Sequence, residues 1–402
     1  MGAPNSILTI NAGSSSIKVV LFDVPTAPQR IFQVAIRNIG QPTASLAVTY
    51  PDKPAEPPTT VNAEDHIGAF KILAEWLGKQ TASQSPAAIG HRLVHGGPKY
   101  YQPQIIDDEL LANLRQLTVF DPEHLPVEIM LIEEAKRLFP GVKQVACFDT
   151  AFHHDLPDVA RRLPIPRHYE AAGLRRYGFH GLSYAFVLQE IKRLDGPDRA
   201  NGRIIIAHLG SGVSLVAVSE GKSIDTTMGL TPASGVPMSS RSGDIDPGLQ
   251  LFLARHEGLN PDQLNSLFNF QSGLLGISET TSDMQQLLEN EGTDSRAKEA
   301  VDLFCYQIKK SIGSLAAALG GLDQLVFTGG MGEDAPKVRE RVCQDLGFLG
   351  VELDESRNVA GADLISADNS RVAVRVIHTD EAATIARDVQ RLIDRSGSEN
   401  QQ

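Results

Sequence analysis

Two segments of this chain share one pattern of apolar and polar residues. Ile7–Val24 reads ILTINAGSSSIKVVLFDV, and Ile204–Gly221 reads IIIAHLGSGVSLVAVSEG. Each is an apolar, β-branched run, a turn containing glycine and serine, and a second apolar run, which is the pattern of a β-hairpin. Small residues in a tight turn expose backbone N–H groups and hydroxyls, so a phosphate can approach them closely. The repeat therefore predicts a duplicated fold with a nucleotide held between two lobes.

Helical and strand patterns alternate along the rest of the chain, which favours α/β layers. Apolar residues at helical spacing predict helices at 63–77, 107–117, 126–139, 295–319, 336–346 and 381–393. Apolar runs predict further strands at 88–94, 144–148, 324–327 and 372–377. The segment 231–246 is rich in glycine, serine and proline, which predicts a loop.

The chain has 402 residues, which is more than a single hydrophobic core usually supports, so two domains are expected. The duplication divides the chain into an N-terminal lobe of residues 1–148 with 382–402, and a C-terminal lobe of residues 149–381. The net charge of −12 argues against a nucleic-acid or anionic-membrane partner.

Three cysteines lie far apart, at 147, 305 and 343, and form neither a disulfide framework nor a zinc pattern. Buried free thiols in a reducing compartment are therefore expected. The chain shows no signal-peptide pattern and no apolar run of the roughly 18–20 residues that a membrane span needs. These features predict a cytoplasmic protein.

Polar and charged residues cluster in the glycine turns and after predicted strands. They are Asn11, Ser14, Ser16 and Lys18 in the first turn, Arg92, Asp149, His180, Arg241 and the glycine turn at 328–334. Each has an ordinary structural explanation, such as an exposed lysine, a surface ion pair, a helix cap or a buried histidine. Together they supply what phosphoryl transfer needs: cations to spread negative charge, a carboxylate for Mg²⁺, and backbone donors for phosphates.

These motifs resemble those of the acetate/propionate kinase family. The matching strings are INAGSSSIK (10–18), HRLVHGG (91–97), FDTAFH (148–153), YGFHG (177–181), HLGSG (208–212), DTTMGLTP (225–232), RSGDIDPG (241–248), FTGGMGED (327–334) and TDEA (379–382). They follow the family's order and cover nearly the whole chain.

The resemblance implies the duplicated actin-like ATPase fold, which is ribonuclease H-like, has a βββαβαβα core in each lobe and holds the nucleotide in a cleft between the lobes. It also implies the reaction ATP + acetate ⇌ ADP + acetyl phosphate, by direct in-line transfer with Mg²⁺ or Mn²⁺. The implied assembly is a homodimer formed through the C-terminal lobe.

The resemblance also assigns roles to single positions. Arg92 and Arg241 would hold the carboxylate and the transferring phosphoryl group, and His180 would hydrogen-bond that group. Asp149, Glu381 and Asn11 would position Mg²⁺, while Val94, Phe179 and Pro232 would line the acyl pocket. The nucleotide and its phosphates would be bound by Asn11, Ser14, Ser16, Lys18, His208, Gly210, Ser211, Gly212, Gly330, Met331, Gly332 and Asp334.

Some positions depart from the family's usual motifs. Ser211 replaces the asparagine of HLGNG, Glu123 lies where a pocket leucine is usual, and Leu182 and Tyr184 change the GTSH string. A carboxylate facing an acyl methyl would be costly, so either Glu123 turns away or the pocket accepts a larger or more polar acid.

Two alternatives to an acetate kinase stay open on the sequence. One is a kinase of the same superfold with another acceptor, such as propionate or another short-chain carboxylate. A sugar kinase is disfavoured, because it needs an aspartate base and paired arginines suit a carboxylate better. The other is a non-catalytic actin-like nucleotide-binding protein, which the superfold alone permits.

Overall fold

The computed structural model describes residues 6–13, 15–24, 27–80 and 85–399. It divides the chain into two compact units, Met1–Ala151 with Asp380–Gln402, and Phe152–Thr379. Asp149 and Glu381 both belong to the first unit. The division expected from the duplication, between residues 148 and 149 and between residues 381 and 382, assigned both to the C-terminal lobe.

The described part of the first unit contains an eight-stranded sheet. Its strands are β1 (Ser6–Gly13), β2 (Ser16–Asp23), β3 (Gln29–Arg37), β4 (Ser45–Thr49), β5 (Thr59–Thr60), β6 (Ala88–Leu93), β7 (Gln104–Ile105) and β8 (Lys143–Phe148). Their order across the sheet is β5-β4-β3-β2-β1-β6-β8-β7. Strand β6 lies parallel to both β1 and β8, so the C-terminal ends of these three strands meet at one edge.

The second unit contains a five-stranded sheet. Its strands are β9 (Ile204–Leu209), β10 (Val213–Ser219), β11 (Lys222–Thr226), β12 (Gln324–Thr328) and β13 (Ala373–Val376). Their order is β11-β10-β9-β12-β13, with β9, β12 and β13 parallel. The central strands of the first sheet, β3-β2-β1-β6-β8, repeat this order and these directions, so the two sheets share the topology that a duplicated fold requires.

The helices pack around these two sheets. They are α1 (His66–Gln80), α2 (Asp108–Leu117), α3 (Leu125–Leu138), α4 (Asp158–Arg161), α5 (Arg167–Ala171), α6 (Gly181–Asp195), α7 (Pro197–Ala200), α8 (Pro247–Phe252), α9 (Pro261–Phe270), α10 (Gly273–Ser278), α11 (Met284–Asn290), α12 (Ser295–Leu319), α13 (Gly330–Asp334), α14 (Pro336–Cys343), α15 (Glu355–Val359) and α16 (Glu381–Glu399). Short 3-10 helices at Asp149–His153 and Gly347–Leu349 and a π-helical turn at Leu253–Glu257 complete the set.

Local sequence signals explain the best-defined helices. Helix α12 has the predicted bounds, because Asp294 caps its start by accepting from the Arg296 N–H and Gly320 ends it at a φ of 69°. Asp107 caps α2 in the same way. The predicted loop at 231–246 contains neither helix nor strand.

Helices α1 and α3 cover one side of the first sheet, and their apolar faces join β1, β2 and β3 in a continuous core. Helix α16 packs against β1 and β6. All three cysteines are buried and unpaired, as expected. No helix in the described ranges has both the length and the apolar character needed to cross a bilayer.

The close approach of β6 to α16 gives a test of this packing. A Cβ on Gly90 would lie 2.4 Å from Ile385 Cγ2 and 2.7 Å from Val389 Cγ2, both on stiff β-branched side chains. We expect Gly90→Ala to lower the free energy of unfolding by about 1–3 kcal/mol through overpacking.

Gly78→Ala, at an exposed position of α1, is the matched control for thermal unfolding, since a Cβ there would have no atom within 4 Å. This control should be neutral or slightly stabilising. Equal unfolding midpoints for the two variants would contradict the packing of α16 on β6.

Candidate active site

The candidate residues fall into two groups, one in each unit. In the first unit, the parallel strands bring Arg92 and Asp149 together, because Arg92 pairs with Cys147 of β8 and Asp149 follows β8 directly. Arg92 Nε and Nη2 donate to Asp149 Oδ2 at 3.0 and 2.6 Å. Arg92 Nη1 donates to the Ala12 carbonyl at 2.9 Å, which ties β6 to the first glycine turn.

The Arg92–Asp149 pair is shielded from solvent. Asp149 is fully buried, and only 13% of the Arg92 side chain is exposed. Burial raises the pKa of Asp149 and the charge of Glu381 raises it further, whereas Arg92 lowers it. For Arg92, burial acts to lower the pKa, but the carboxylates of Asp149, Glu381 and Glu128 outweigh burial and raise it. Arg92 is therefore a permanent cation at the edge of the sheet.

The first hairpin reaches the same edge. Asn11 Nδ2 donates to Glu381 Oε2 at 2.8 Å, and Glu381 begins α16. Lys18 pairs with Asn11 across the hairpin, and burial lowers the pKa of its ammonium, as does Arg30. Ser16 pairs with Gly13 at the turn. Ser14 lies outside the described residues.

Sequence reasoning missed a buried carboxyl group behind Arg92. Glu128 on α3 is 2% exposed, and its Oε2 accepts the Val94 N–H at 3.0 Å. Burial raises its pKa well above the ordinary value, although Arg92 opposes this. The signal was an acidic residue on the apolar face of α3, in register with Leu125 and Ile132. Val94 itself is buried.

Two glycine turns meet in the second unit. Gly210, Ser211 and Gly212 link β9 to β10, and the Gly210 N–H donates to the Gly212 carbonyl at 3.1 Å. A Cβ on Gly329 would lie 2.9 Å from the Leu209 carbonyl carbon, and its φ of 77° also requires glycine. The backbone after β12 therefore packs directly on the β9–β10 turn.

His180 and Arg241 converge on this turn. A Cβ placed on Gly212 would lie 3.2 Å from His180 Nε2 and 3.5 Å from Arg241 Nη1. Both nitrogens therefore lie within 3.5 Å of one point beside Gly212. Two nitrogens that can donate hydrogen bonds beside a glycine turn can bind an anionic oxygen there.

His180 has an unusual backbone conformation, and its neighbours enforce it. It precedes α6 with a φ of 60°, a region that side-chain-bearing residues rarely adopt. His153 Nε2 donates to the Phe179 carbonyl at 3.0 Å, and a Cβ on Gly178 would lie 2.6 Å from the His153 ring. The buried His153 ring therefore packs closely beneath the segment that carries His180.

The loop that carries Arg241 is also anchored. Arg241 Nη1 donates to the Pro232 carbonyl at 3.2 Å, and the Arg241 carbonyl accepts from the Met238 N–H at 3.0 Å. The Leu274 N–H donates to the Met238 carbonyl at 2.9 Å. These bonds anchor Arg241, which itself lies outside any helix or strand, to the start of α10, and they place Pro232 next to it.

The remaining candidates of the second unit surround the same turns. The His208 ring stacks on His180 at 4.2 Å between centroids, and its Nδ1 bonds Ser183 Oγ at 2.9 Å. Gly330, Met331, Gly332 and Asp334 form α13, with Gly332 buried and Asp334 exposed. Ser211 is exposed, and its carbonyl accepts from the Ser239 N–H.

A second residue that sequence reasoning missed is Glu333, within α13. Its Oε1 accepts from the Gly329 N–H at 2.8 Å and from the Thr379 N–H at 3.0 Å, and its Oε2 bonds His378 Nδ1 at 2.8 Å. The carboxylate therefore joins the glycine turn to the segment after β13. No local pattern distinguished Glu333 from a solvated acidic residue.

The residues proposed to bind the metal suit Mg²⁺, although they do not form a complete set of protein ligands. In the described ranges, no group of three or more His, Cys, Asp and Glu side chains could hold an ion. Asp149 Oδ1 is nevertheless buried with no hydrogen-bond partner among the described residues, although Oδ2 accepts from Arg92 Nε and Nη2. Mg²⁺ commonly uses one or two carboxylates and completes its shell with water and phosphate oxygens. Asp149 and Glu381 therefore supply a suitable donor set.

The Acetokinase family model matches residues 6–387. The chain belongs to this family. An acetate kinase from Rhodopseudomonas palustris (strain TIE-1) is 42% identical over 393 residues, which cover 96% of this chain and 98% of the relative. A propionate kinase from Citrobacter rodentium (strain ICC168) is 41% identical, with 96% of this chain and 97% of the relative covered.

Solved structures of the family share the fold. The crystal structure of Porphyromonas gingivalis acetate kinase superposes with a TM-score of 0.84 at 35% identity, covering 97% of this chain and all of that chain (100%). A propionate kinase from Francisella tularensis gives a TM-score of 0.87 at 33% identity, with 96% and 98% covered. These matches confirm the duplicated actin-like ATPase fold and the prediction that this acetokinase is a short-chain acyl kinase.

The buried His153 gives a prediction about pH. Burial lowers the pKa of His153 from 6.5 to about 4. Below pH 6.5 the unfolded chain therefore takes up a proton that the folded chain does not, and stability present above pH 6.5 is lost as the pH falls toward 4. We expect the stability advantage of the wild type over His153→Gln to shrink by about 2 kcal/mol between pH 7 and pH 5.

Urea unfolding of both proteins at the two pH values measures this difference, and titration of other groups cancels in the comparison. If the difference in the free energy of unfolding between wild type and variant does not change with pH, His153 is not buried as a neutral base.

Proposed function

We propose that this acetokinase transfers the γ-phosphoryl group of ATP to acetate, reversibly and by direct in-line displacement, giving ADP and acetyl phosphate. The observation that carries the proposal is the convergence of His180 Nε2 and Arg241 Nη1 on one point beside Gly212. Phosphoryl transfer is catalysed mainly by positioning and by fixed positive charge, and this point offers both.

The first unit contributes a second cation and a phosphate-binding turn. Arg92 presents a guanidinium that stays charged, and an arginine fork matches the oxygens of a carboxylate or a phosphate. Asn11, Ser14, Ser16 and Lys18 line the phosphate path in this proposal. The acetate oxygen needs no base, because it is already ionised at neutral pH.

Asp149, Glu381 and Asn11 would hold Mg²⁺, or Mn²⁺ in its place. The bound ion supplies positive charge that offsets the repulsion between the carboxylate and the phosphates. The unpartnered Oδ1 of Asp149 supports this assignment. Arg92 orients Asp149 through Oδ2 and leaves Oδ1 for the ion or its water.

The nucleotide would be bound by the glycine turns of the second unit. The residues assigned to it are His208, Gly210, Ser211, Gly212, Gly330, Met331, Gly332 and Asp334. The direct packing of Gly329 on Leu209 supports a common surface for these turns. Backbone N–H groups in such turns suit phosphate oxygens.

Propionate is the second candidate acceptor, because curated relatives of similar identity include propionate kinases. Val94, Phe179 and Pro232 would line the acyl pocket. Val94 and Phe179 are buried apolar groups, whereas Glu123 is exposed. Exposure removes the cost of a buried carboxylate, which favours an ordinary apolar pocket.

We therefore expect Glu123→Leu to change the ratio of kcat/KM for acetate over propionate by less than about twofold, as for an ordinary surface substitution. Steady-state kinetics with both acids measure the ratio. A large shift toward either acid would place Glu123 in the acyl pocket and contradict this assignment.

Arg241 gives the most direct test of the catalytic proposal. Arg241→Ala removes a charge aimed at the phosphoryl group, and such a loss costs about 10²–10³-fold in kcat. Acetate-dependent release of ADP measures turnover, and the thermal unfolding midpoint reports the fold. Arg193→Ala, which removes an exposed ion pair with Glu190 on α6, is the control and should keep wild-type turnover. Near wild-type turnover for Arg241→Ala would exclude the proposed role.

We also propose a cytoplasmic homodimer formed through the second unit. Large apolar side chains are exposed on α8, α9 and α12: Leu251 (55%), Phe252 (52%), Phe270 (45%) and Tyr306 (58%). Exposed apolar surface of this kind often marks a protein–protein interface. The buried free thiols suit a reducing compartment.

Phe252→Asp should therefore shift the protein from dimer to monomer in sedimentation velocity. Val159→Asp is the matched control: Val159 is also exposed (89%), but it lies on α4, outside the three helices of the proposed interface, and its substitution should not affect assembly. A monomeric wild type, or a dimer that tolerates Phe252→Asp, would contradict the proposed interface.

A further inference from the structure

Two buried hydroxyl groups lie behind His180, on the side of the ring away from Gly212. His180 Nδ1 and Ser214 Oγ are 2.8 Å apart. Ser214 Oγ also shares a hydrogen bond with the hydroxyl of Tyr184. Both side chains are completely buried, Ser214 on β10 and Tyr184 on α6. The three groups form a chain from Tyr184 through Ser214 to His180.

The acidity of the two hydroxyl groups favours one direction of donation along these hydrogen bonds. A phenol is far more acidic than an aliphatic alcohol, so it is the better donor of the two hydroxyls. We infer that Tyr184 donates to Ser214 Oγ. The single proton of Ser214 is then directed to His180 Nδ1. Nδ1 can accept it only as an unprotonated nitrogen, which leaves the proton of a neutral imidazole on Nε2.

The position of Nε2 explains why the tautomer of His180 matters. Nε2 lies near the point beside Gly212 that Arg241 Nη1 also approaches. In a neutral ring, the tautomer alone decides whether Nε2 is a donor or an acceptor. With the proton on Nε2, the ring donates toward an oxygen at that point. With the proton on Nδ1, it would present a lone pair to a negatively charged group.

We propose that Tyr184 and Ser214 are positioning residues that hold the proton of His180 on Nε2, the atom that faces the transferring phosphoryl group. The proposal rests on the role assigned to His180 under the proposed function. Neither hydroxyl touches substrate. They act through the ring, as the partner of the second nitrogen does in other histidine sites.

The tautomer can be measured without turnover. In protein carrying ¹⁵N-labelled histidine, long-range ¹H–¹⁵N correlation spectra distinguish a protonated from an unprotonated ring nitrogen. The signals of His180 are assigned among the eleven histidines by their absence in His180→Gln. We expect an unprotonated Nδ1 in the wild type, and a mixture of tautomers in Tyr184→Phe and Ser214→Ala. A wild-type proton on Nδ1, or variants with unchanged spectra, would overturn the proposal.

Kinetics provide the second measurement. Loss of the tautomer bias removes an interaction made in the transition state, so both variants should lose kcat by at least about tenfold with little change in KM for ATP or acetate. Tyr177→Phe is the matched control: Tyr177 is also buried, but its hydroxyl donates to the Gly173 carbonyl at 2.8 Å. A kcat loss no larger than that of Tyr177→Phe would contradict a positioning role.

Three further outcomes complete the test and separate this proposal from the proposed function. If Tyr184→Phe fails to fold, Ser214→Ala, which only removes an oxygen, decides the question alone. If His180→Gln keeps full turnover, the catalytic role of His180 is wrong, and the positioning role that rests on it is overturned as well. If His180→Gln is inactive while the tautomer of the two hydroxyl variants is unchanged, the positioning role alone fails.

Discussion

The burial of a charged carboxyl group at the end of β8 is the constraint on which the candidate residues of the first unit depend. Asp149 is fully buried, and removing its charge from water is costly unless a partner offsets the loss. Arg92 is that partner, and the parallel pairing of β6 with β8 places it there. Because both Arg92 donors bind one carboxylate oxygen, the other oxygen has no partner in the described residues. The same pair thus stabilises the sheet edge and leaves an acceptor for an ion.

The candidate residues of the second unit depend on close backbone approach and on buried histidines. Gly329 allows the backbone after β12 to touch the β9–β10 turn, and Gly178 allows the Phe179–His180 segment to lie on His153. His153 is buried with a lowered pKa, so it can serve as a neutral hydrogen-bonding support. These supports hold His180 in a left-handed backbone conformation that it would rarely adopt alone.

Much of the fold followed from local sequence pattern. The two hairpins, helix α12 and the loop at 231–246 have strong periodic or turn signals, and each was predicted from them. The polar groups behind the site were not, because their partners are distant in sequence. Glu128 binds Val94, Ser214 binds His180, and Glu333 binds Thr379. Such pairs arise only from tertiary packing. The roles of Asn11, Lys18 and the nucleotide turns remain predictions.

The activity proposed for this acetokinase is the formation of an acyl phosphate. The most direct measurement incubates the enzyme with Mg-ATP and acetate, propionate, butyrate, glycolate or succinate, and measures ADP release while trapping the acyl phosphate as its hydroxamate. We expect acetyl hydroxamate in amounts equal to the ADP released, with acetate or propionate the best substrate. ADP release that does not depend on any acid, or no turnover with all five, would contradict it.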